Sequence, residues 1–504
     1  MDSVVSASTS ASPRFYSNWL TWRQKQALDI WARDCVPRML PFADAASANL
    51  PLGRLLRLSL FQVSVGMAAA LMVGTLNRVM IVELNMAAWL VALMVALPLL
   101  FAPFRALIGF RSDNHASVLG WKRVPYLWIG TLLQFGGLAI MPFALLVLTG
   151  EGQLGMAWLG YLAASLAFLL VGAGMQTTQT AGLALATDLA SEEARPRVVA
   201  LMYVMLLLGM VGGGFVASTL LSDFTDKKLV QVVQGAAVLS AVFNLLAAWK
   251  QEPRDRTLRR KSEPRPAFLP QWRAFIAKPK ARRFLWATGL GAAAFNMQDI
   301  ILEPYGGEIL KLSVSATSAL TGIMATGSLL AFALAARMLM RGGDPIRVAA
   351  MGAIIGLPAF SAVIFAAPAD APWMFRLGTF LIGFGAGLFA VGTLTSAMSM
   401  ESKKNVGLAL GAWGAVQATA AGLAVLTGGA LRDGAGHLAM SGWLGPVLQT
   451  PVTGYSVVYH LEMLMLFAAL VAIGPLVRRT SPVQAADFLA KPGVPRFGLA
   501  GLPA

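Results

Sequence analysis

Two charged residues lie inside long apolar stretches, where they could carry chemistry. Arg78 and Asp299 each interrupt a run that is otherwise apolar enough to cross a membrane. A charge at such a depth costs about 2.5–3.5 kcal/mol on insertion scales, so each should face protein or a cavity and find a partner. Either the two residues pair with each other, or each lies near the outer interface, reaches water and anchors its helix. Glu83 and Glu303, one turn or more further out, are predicted to be interfacial.

Uncharged polar side chains inside other apolar stretches are candidate binding residues. They are Gln176, Thr177, Thr178 and Gln179 in one stretch, and Trp413 and Gln417 in another. Such residues line a cavity or form hydrogen bonds between helices, and their types alone leave both interpretations open. The chain has one cysteine, Cys35, which excludes an internal disulfide and a cysteine-based metal site.

The composition indicates a membrane protein. Of 504 residues, 57% are apolar and only 13% are charged, whereas about a quarter of a soluble domain is charged. No spacing of nucleophile, base and acid, no metal cluster and no phosphate loop stands out, so we expect no enzymatic activity. The net charge of +16 would suggest nucleic acid in a soluble protein, but membrane topology is the competing cause.

Twelve apolar stretches are long enough to cross a membrane. They lie at 57–82, 86–108, 124–149, 156–187, 198–221, 229–248, 284–305, 313–338, 346–367, 373–400, 406–430 and 455–477. A basic, proline-containing segment separates the first six from the last six. The sequence therefore predicts an all-α integral membrane protein with two six-helix halves. The predicted divisions are an N-terminal segment 1–55, a first half 56–249, a linker 250–283, a second half 284–477 and a tail 478–504.

The distribution of basic residues predicts the orientation. With the N-terminus inside, 34 of the 40 Lys and Arg residues fall on the cytoplasmic side, so the positive-inside rule places both termini in the cytoplasm. Topology thus explains the basic charge without nucleic acid. We expect no cleavable signal peptide, because residues 1–13 have no apolar core. Aromatic and basic residues alternate over 15–33, which fits either an interfacial amphipathic helix or a disordered extension.

The two halves contain similar segments at corresponding places. Asn77-Arg78 is followed by an apolar stretch and Glu83, and Asn296 to Asp299 is followed by an apolar stretch and Glu303. The second and eighth spans both exit through basic residues and an aspartate, Asp113 or Asp344. An internal repeat of this kind is typical of transporters, whose sites lie where the repeats meet.

The loop after the second span resembles the signature of the major facilitator superfamily. The residues that carry the resemblance are Gly109, Asp113, Gly120, Lys122 and Arg123. The gap between Asp113 and Gly120 is longer than in the family pattern, so a plain basic loop with a capping aspartate is the alternative. In this fold the first and seventh spans are neighbours, which favours the Arg78–Asp299 pair.

Longer strings resemble the PucC/LhaA family, the bacteriochlorophyll-delivery branch of that superfamily. They include Leu40-Pro-Phe-Ala-Asp-Ala-Ala46, Gly74-Thr-Leu-Asn-Arg-Val-Met-Ile-Val-Glu83 and Leu119-Gly-Trp-Lys-Arg-Val-Pro-Tyr126. The likeness runs from about Leu40 to Val477 and is strongest in the first third. The Leu-Pro-Phe-Ala-Asp string before the first span makes the chain similar to the LhaA side of the family.

The resemblance implies a light-harvesting antenna assembly factor in the inner membrane, cytoplasmic or intracytoplasmic, of a purple phototrophic bacterium. Such a protein would bind bacteriochlorophyll, and carotenoid in addition, and deliver the bacteriochlorophyll to nascent core (LH1-type) antenna subunits. Its implied partners are antenna polypeptides, the reaction centre, pigment-synthesis enzymes and the lipid bilayer, with no nucleic acid.

Bound pigment would need an axial ligand for magnesium. Of the three histidines, His115 and His437 fall in predicted loops, and His460 lies in the last span beside Tyr459 and Glu462. His460 is the candidate ligand, and a hydrogen-bonded interfacial histidine is the alternative. The other candidate pigment contacts are Gln176, Gln179, Trp413 and Gln417. The alternative function is secondary transport of a small amphipathic or ionic solute, with Asp299 as the titratable carboxylate.

Overall fold

The computed structural model describes residues 45, 50–100, 121–148, 157–191, 194–252, 273, 276–399 and 406–477. Nearly all regular structure in these ranges is helical. The helices are α1 Leu52–Glu83, α2 Ala88–Leu100, α3 Val124–Leu148, α4 Ala157–Leu189, α5 Arg195–Leu220, α6 Asp226–Ala248, α7 Pro279–Asn296, α8 Val314–Met340, α9 Pro345–Ala366, α10 Pro372–Ser399, α11 Val406–Met440 and α12 Val452–Ile473. Each of the twelve predicted spans corresponds to one of these helices, so the predicted fold class is confirmed.

Ten of the twelve helices are long and apolar enough to cross a membrane. The other two are α2, which is described only as far as Leu100, and α7, which begins with the basic residues Lys280, Arg282 and Arg283. Helix α11 extends to Met440, ten residues beyond the predicted end of its span at 430.

The seventh span is not one continuous helix as predicted over 284–305. Helix α7 is followed by a 3-10 turn, Met297–Ile300, and a short helix, Leu302–Glu308; we call residues 297–308 the α7 extension. Pro304 explains part of the break, because it has no N–H with which to bond the carbonyl of Ile300. That carbonyl instead accepts a hydrogen bond from the side chain of Asn77, 3.1 Å away.

Helix packing repeats with an offset of six helices. Helix α1 packs on α5 as α7 packs on α11, and α3 packs on α4 as α9 packs on α10. Between the two sets of six, α5 packs on α8 and α2 packs on α11. These cross-contacts place the ends of α1, α2, α8 and the α7 extension side by side.

Exposed tryptophans mark both ends of the bundle. Trp89, Trp158, Trp373 and Trp443 lie at the end where α1 finishes, and Trp128, Trp249 and Trp286 lie at the opposite end. Two belts of tryptophan are typical of the two interfaces of a membrane. We call these ends the predicted outer end and the predicted cytoplasmic end.

At the predicted cytoplasmic end, the carboxylate of Glu252 caps the start of α3. Glu252 accepts hydrogen bonds from the backbone N–H groups that begin α3, including those of Lys122 at 2.6 Å and Val124 at 2.9 Å. A negative charge there satisfies N–H groups that have no partner within the helix. The Arg123 side chain pairs with Asp188 at the end of α4, 3.1 Å away.

Several predicted features lie outside the described residues. They are the candidate amphipathic segment 15–33, Gly109, Asp113, Gly120, His115, most of the linker and the tail. Asp344, the predicted counterpart of Asp113 in the second half, is described: it caps α9 by accepting from the N–H of Ile346 at 3.1 Å.

Candidate functional site

The outer half of α1 departs from ordinary α-helical geometry. It contains two π-helical segments, Leu71–Leu76 and Val79–Glu83, with Asn77 and Arg78 between them. π-Helical turns are rare and occur frequently at functional sites. Both Asn77 and Arg78 are buried, so this distorted part of α1 places two polar side chains inside the protein.

Arg78 pairs with Glu83 and not with Asp299 as predicted. The guanidinium donates to the Glu83 carboxylate, and its Nη2 also donates to the carbonyl of Leu312 at 3.3 Å. The π-helical geometry explains the partner, because i to i+5 bonding brings residues five apart onto one face. The guanidinium also lies against Gly307, where an added Cβ would be 3.0 Å from Arg78 Nε. Arg78 therefore connects α1 to the segment that joins the α7 extension to α8.

The predicted proximity of the first and seventh spans is present, but Asn77 makes the contact. Its side-chain Nδ2 donates to the carbonyls of Asp299 and Ile300, at 3.2 and 3.1 Å. The Asp299 side chain accepts from Gln298 and forms no ion pair with a described residue. The broken backbone of the α7 extension thus supplies the acceptors that join the two spans.

Glu303 is buried, which corrects the prediction that it is interfacial. Its side chain is 1% exposed, and Oε1 accepts a hydrogen bond from Thr321 of α8 at 2.8 Å. Gly74 of α1 lies against this pair: a Cβ added there would be 2.2 Å from Thr321 Oγ1 and 3.6 Å from Glu303 Oε1. The predicted span ends at 305, close to Glu303, whereas the α7 extension continues to Glu308 and places Glu303 deeper in the bundle.

A second buried carboxyl, Glu462 of α12, lies near this contact. Neither of its oxygens makes a hydrogen bond of normal geometry to a described residue, although the backbone of Gln298 lies nearby. On the same face of α12, the ring of Tyr459 packs edge-on against Tyr305, with ring centroids 5.6 Å apart. The sequence analysis did not identify Glu462 as a buried site residue. The signal was the helical spacing of residues 455, 459, 462 and 466, which places them on one side of α12.

Ion pairs connect the helices at the predicted outer end. Arg432 of α11 pairs with Glu308 of the α7 extension and lies over the ring of Tyr455, 4.8 Å from its centroid. Asp433 accepts from the backbone N–H of Trp89 at 2.8 Å, which caps the start of α2. These contacts fix α11 to both the α7 extension and α2.

The three acidic side chains Asp299, Glu303 and Glu462 do not form a metal centre. Among the described residues, no group of three or more His, Cys, Asp or Glu side chains is placed to hold a metal ion. The geometry instead describes a polar contact, formed by α1, the α7 extension, α8 and α12, that joins the first half of the bundle to the second.

The bundle is similar to solved transporters. It matches a crystal structure of the nucleoside transporter NupG with a TM-score of 0.62 at 15% identity, covering 84% of this chain and 100% of that chain. At this identity the match shows the fold alone, a major-facilitator-type bundle. The model of the PUCC protein family matches residues 75–481. The chain belongs to the PucC family.

Relatives agree with this assignment. Protein PucC from Rhodovulum sulfidophilum is 57% identical over 402 residues, which are 79% of this chain and 88% of that protein. Protein PucC from Cereibacter sphaeroides is 53% identical over 445 residues, 88% of this chain and 96% of that one. A more distant relative from Rhodobacter capsulatus, named bacteriochlorophyll synthase 44.5 kDa chain, is 26% identical over 441 residues, 84% of this chain and 96% of that one.

The polar turn of α4 lies inside the first half of this PucC-family protein. Gln179 donates to Gln62 of α1 at 3.4 Å, and the buried Oε1 of Gln176 has no hydrogen-bond partner among the described residues. Thr177 bonds back to the carbonyl of Ala173 at 2.7 Å. Interhelical hydrogen bonding accounts for Gln179, whereas the side-chain oxygen Oε1 of Gln176 is still a candidate pigment contact.

The candidates on α11 lie elsewhere in the PucC-family bundle. The indole N–H of Trp413 donates to Thr393 of α10 at 3.1 Å. Gln417, one turn further along, is partly buried and makes no hydrogen bond to a described residue. No hydrogen bond joins Trp413 or Gln417 to the described glutamines of α4.

His460 lies on the exposed side surface of the PucC-family bundle. It is exposed, and its Nδ1 is 2.7 Å from the backbone carbonyl of Ser456 and 3.3 Å from the Ser456 hydroxyl. Its neighbours in sequence, Tyr459 and Glu462, are on the opposite, buried face of α12. The helix therefore separates the candidate magnesium ligand from the inner carboxyl group.

Proposed function

We propose that this PucC-family protein is a light-harvesting antenna assembly factor of a purple phototrophic bacterium. In this proposal it binds bacteriochlorophyll and delivers it to nascent core (LH1-type) antenna subunits. The observation that carries the proposal is family membership across residues 75–481, which includes all or part of every helix of the bundle. The name of the distant Rhodobacter capsulatus relative, which refers to bacteriochlorophyll synthesis, is consistent with it. No catalytic step is part of the proposal.

The donor set of the chain fits a magnesium pigment. When bound, bacteriochlorophyll supplies a magnesium ion with an open axial position at the centre of a large apolar ring. Imidazole is a common metal ligand in its neutral form, and His460 is a described histidine with one ring nitrogen already bonded to the backbone. Its remaining nitrogen would hold the magnesium. In this proposal carotenoid is a second apolar pigment that the protein binds. The pigment-synthesis enzymes supply bacteriochlorophyll, and the reaction centre is the neighbour around which the core antenna is assembled.

The test of this proposal compares a deletion strain with the complemented strain under phototrophic growth. We expect the deletion to lower the amount of core antenna per reaction centre and complementation to restore it. The protein purified in mild detergent from complemented cells should carry bacteriochlorophyll in near-stoichiometric amounts. Unchanged antenna content together with a pigment-free protein would refute the proposal.

Secondary transport is the second candidate function, and one observation favours it. Asp299, Glu303 and Glu462 lie where the two halves meet, and none of them pairs with a described cation. Carboxyl groups at such a place are typical of coupled transporters. Asp299→Asn should abolish uptake of a solute if transport is the function. If assembly is the function, the same variant should change antenna content without altering any flux.

We also propose that the protein lies in the bacterial inner membrane with both termini in the cytoplasm. The asymmetry of 34 basic residues against six supports this orientation. The single native cysteine permits a direct test. In a Cys35→Ser background, Trp443→Cys should react with an impermeant maleimide in intact spheroplasts, and Arg341→Cys should react only after lysis. The reverse pattern would show the opposite orientation.

A further inference from the structure

Helix α12 has two distinct faces. Tyr455, Tyr459, Glu462 and Leu466 are fully buried against the rest of the bundle. The opposite face carries Val457, Leu464, Phe467 and Val471, all exposed, with Leu464 at 63% and Val471 at 73%. His460 falls between Val457 and Leu464 in this series, whose spacing of three and four residues defines one side of a helix. The histidine is therefore part of an otherwise apolar surface.

An exposed apolar face on a membrane-spanning helix suits contact with the hydrocarbon of the membrane. His460 is eight residues from the start of α12 at Val452, which is about 12 Å at 1.5 Å per residue. The 22-residue helix is about 33 Å long, so the imidazole lies about a third of the way along it. Polar side chains at such depth normally face the interior of a bundle, because an unsatisfied polar atom in hydrocarbon is costly. An imidazole that faces outward instead calls for a partner.

The hydrogen bond of His460 identifies its tautomer. A backbone carbonyl can only accept, so Nδ1, 2.7 Å from the Ser456 oxygen, must carry the hydrogen. In the neutral ring Nε2 then bears the lone pair, and it has no hydrogen-bond partner among the described residues. Metal-bound histidines commonly have this arrangement, with the second nitrogen bonded to a backbone carbonyl that fixes the ring. The side chain is thus prepared as a ligand.

The surroundings restrict what Nε2 can bind. A hydrated metal ion would lose its water shell among leucine, valine and phenylalanine side chains, and His460 has no acidic neighbour on its own face to compensate. A metal held at the centre of a flat apolar ring has no such cost and can arrive within the bilayer. The exposed apolar side chains on either side of His460 offer contact surface for such a ring.

We propose that Nε2 of His460 is the axial ligand of a magnesium tetrapyrrole bound on the lipid-facing surface of α12. This inference rests on the proposed function, and it adds that the pigment binds on the lipid-facing surface of α12 and not between the two halves. The pigment would be presented sideways to an antenna helix in the same bilayer. Delivery would then need no passage between the two halves and no opening of the polar contact around Arg78 and Glu303.

The inference is tested by binding measurements on the full-length protein in lipid nanodiscs. Bacteriochlorophyll and its magnesium-free derivative, bacteriopheophytin, are titrated separately and binding is followed by absorption and circular dichroism. The wild type should bind the magnesium pigment at about one per chain and at least tenfold more tightly than the magnesium-free pigment. His460→Leu, which suits a lipid-facing position, should lose this preference. His437→Leu, on the exposed end of α11, is the matched control and should keep it.

Chemical rescue separates a ligand from a structural role. Added imidazole should restore pigment binding to His460→Gly and should not affect His460→Leu, whose side chain fills the space. Equal binding by wild type and His460→Leu would overturn the inference while leaving the proposed function intact. The proposed function itself would be refuted if the purified wild-type protein carries no pigment and deletion of its gene leaves antenna content unchanged. Preferential binding of an iron porphyrin would overturn the assignment to magnesium.

Discussion

The contact between Gly74, Thr321 and Glu303 allows a quantitative test of how α1 is joined to α8. In Gly74→Ala the new Cβ would lie 2.2 Å from Thr321 Oγ1, so one of the two helices must shift by about 1 Å. Overpacking of this kind costs about 1–3 kcal/mol. If Thr321 rotates away instead, Glu303 loses the 2.8 Å hydrogen bond to its Oε1, and a buried acceptor without a donor costs about as much.

A double-mutant cycle distinguishes the two contributions. Thr321→Ala removes the donor to Glu303 and should cost about 1–3 kcal/mol by itself. It also removes the Oγ1 that the new Cβ meets, which leaves Thr321 Cβ at 3.3 Å and Glu303 Oε1 at 3.6 Å. The double variant Gly74→Ala/Thr321→Ala should therefore be about as stable as Thr321→Ala. The two changes should be coupled by about 1–3 kcal/mol, equivalent to about 5- to 150-fold in an equilibrium constant.

The assay is reversible unfolding in mixed micelles with increasing denaturing detergent, followed by tryptophan fluorescence. Gly136→Ala on α3 is the control, because a Cβ there meets no atom within 4 Å and alanine favours a helix by up to about 1 kcal/mol. The reasoning is refuted if Gly74→Ala is as stable as this control. It is also refuted if the double variant loses the sum of the two single losses.

Two further perturbations test the polar contacts at the predicted outer end. Arg78→Glu should lower stability and antenna content, and adding Glu83→Arg should recover most of both. Arg78→Asp combined with Asp299→Arg should recover neither. Recovery by this second pair alone would instead support an ion pair between Arg78 and Asp299. Asp433→Ala should cost about 1 kcal/mol of unfolding free energy because it removes the acceptor that caps α2 at Trp89. Asp433→Asn, which keeps a capping oxygen, should retain most of that stability, and equal losses for Ala and Asn would exclude capping as the reason.

The outcome for Arg78 shows how far residue types could lead. Its need for a partner followed from a charge inside an apolar stretch. Its pairing with Glu83 depends on a π-helical distortion of α1, which the pattern of apolar and polar residues does not predict. The same holds for Asn77: its sequence position matched the repeat, but its bonds to the carbonyls of Asp299 and Ile300 depend on the break in the seventh span. Pro304 is visible in the sequence, but a proline alone does not show whether a membrane-spanning helix continues through it.

His460 illustrates the opposite case. The sequence identified it as a candidate ligand because histidine is scarce in the chain and this one lies in an apolar span. Which way it faces could have been estimated from helical spacing, since 457, 464 and 467 are apolar and 459 and 462 are not. The hydrogen bond to Ser456 required the folded helix.

The sequence by itself determined the membrane environment, the twelve helices and their division by a basic segment, because apolar length and charge asymmetry act locally along the chain. It also carried the family resemblance, which rests on strings of residues. The tertiary structure alone decided that Glu83 is the carboxylate that meets Arg78, that Glu303 is buried against Thr321, and that Asn77 bonds to the carbonyls of Asp299 and Ile300. Those outcomes depend on which helices pack together and on where a helix is distorted, and such contacts join residues far apart in the sequence.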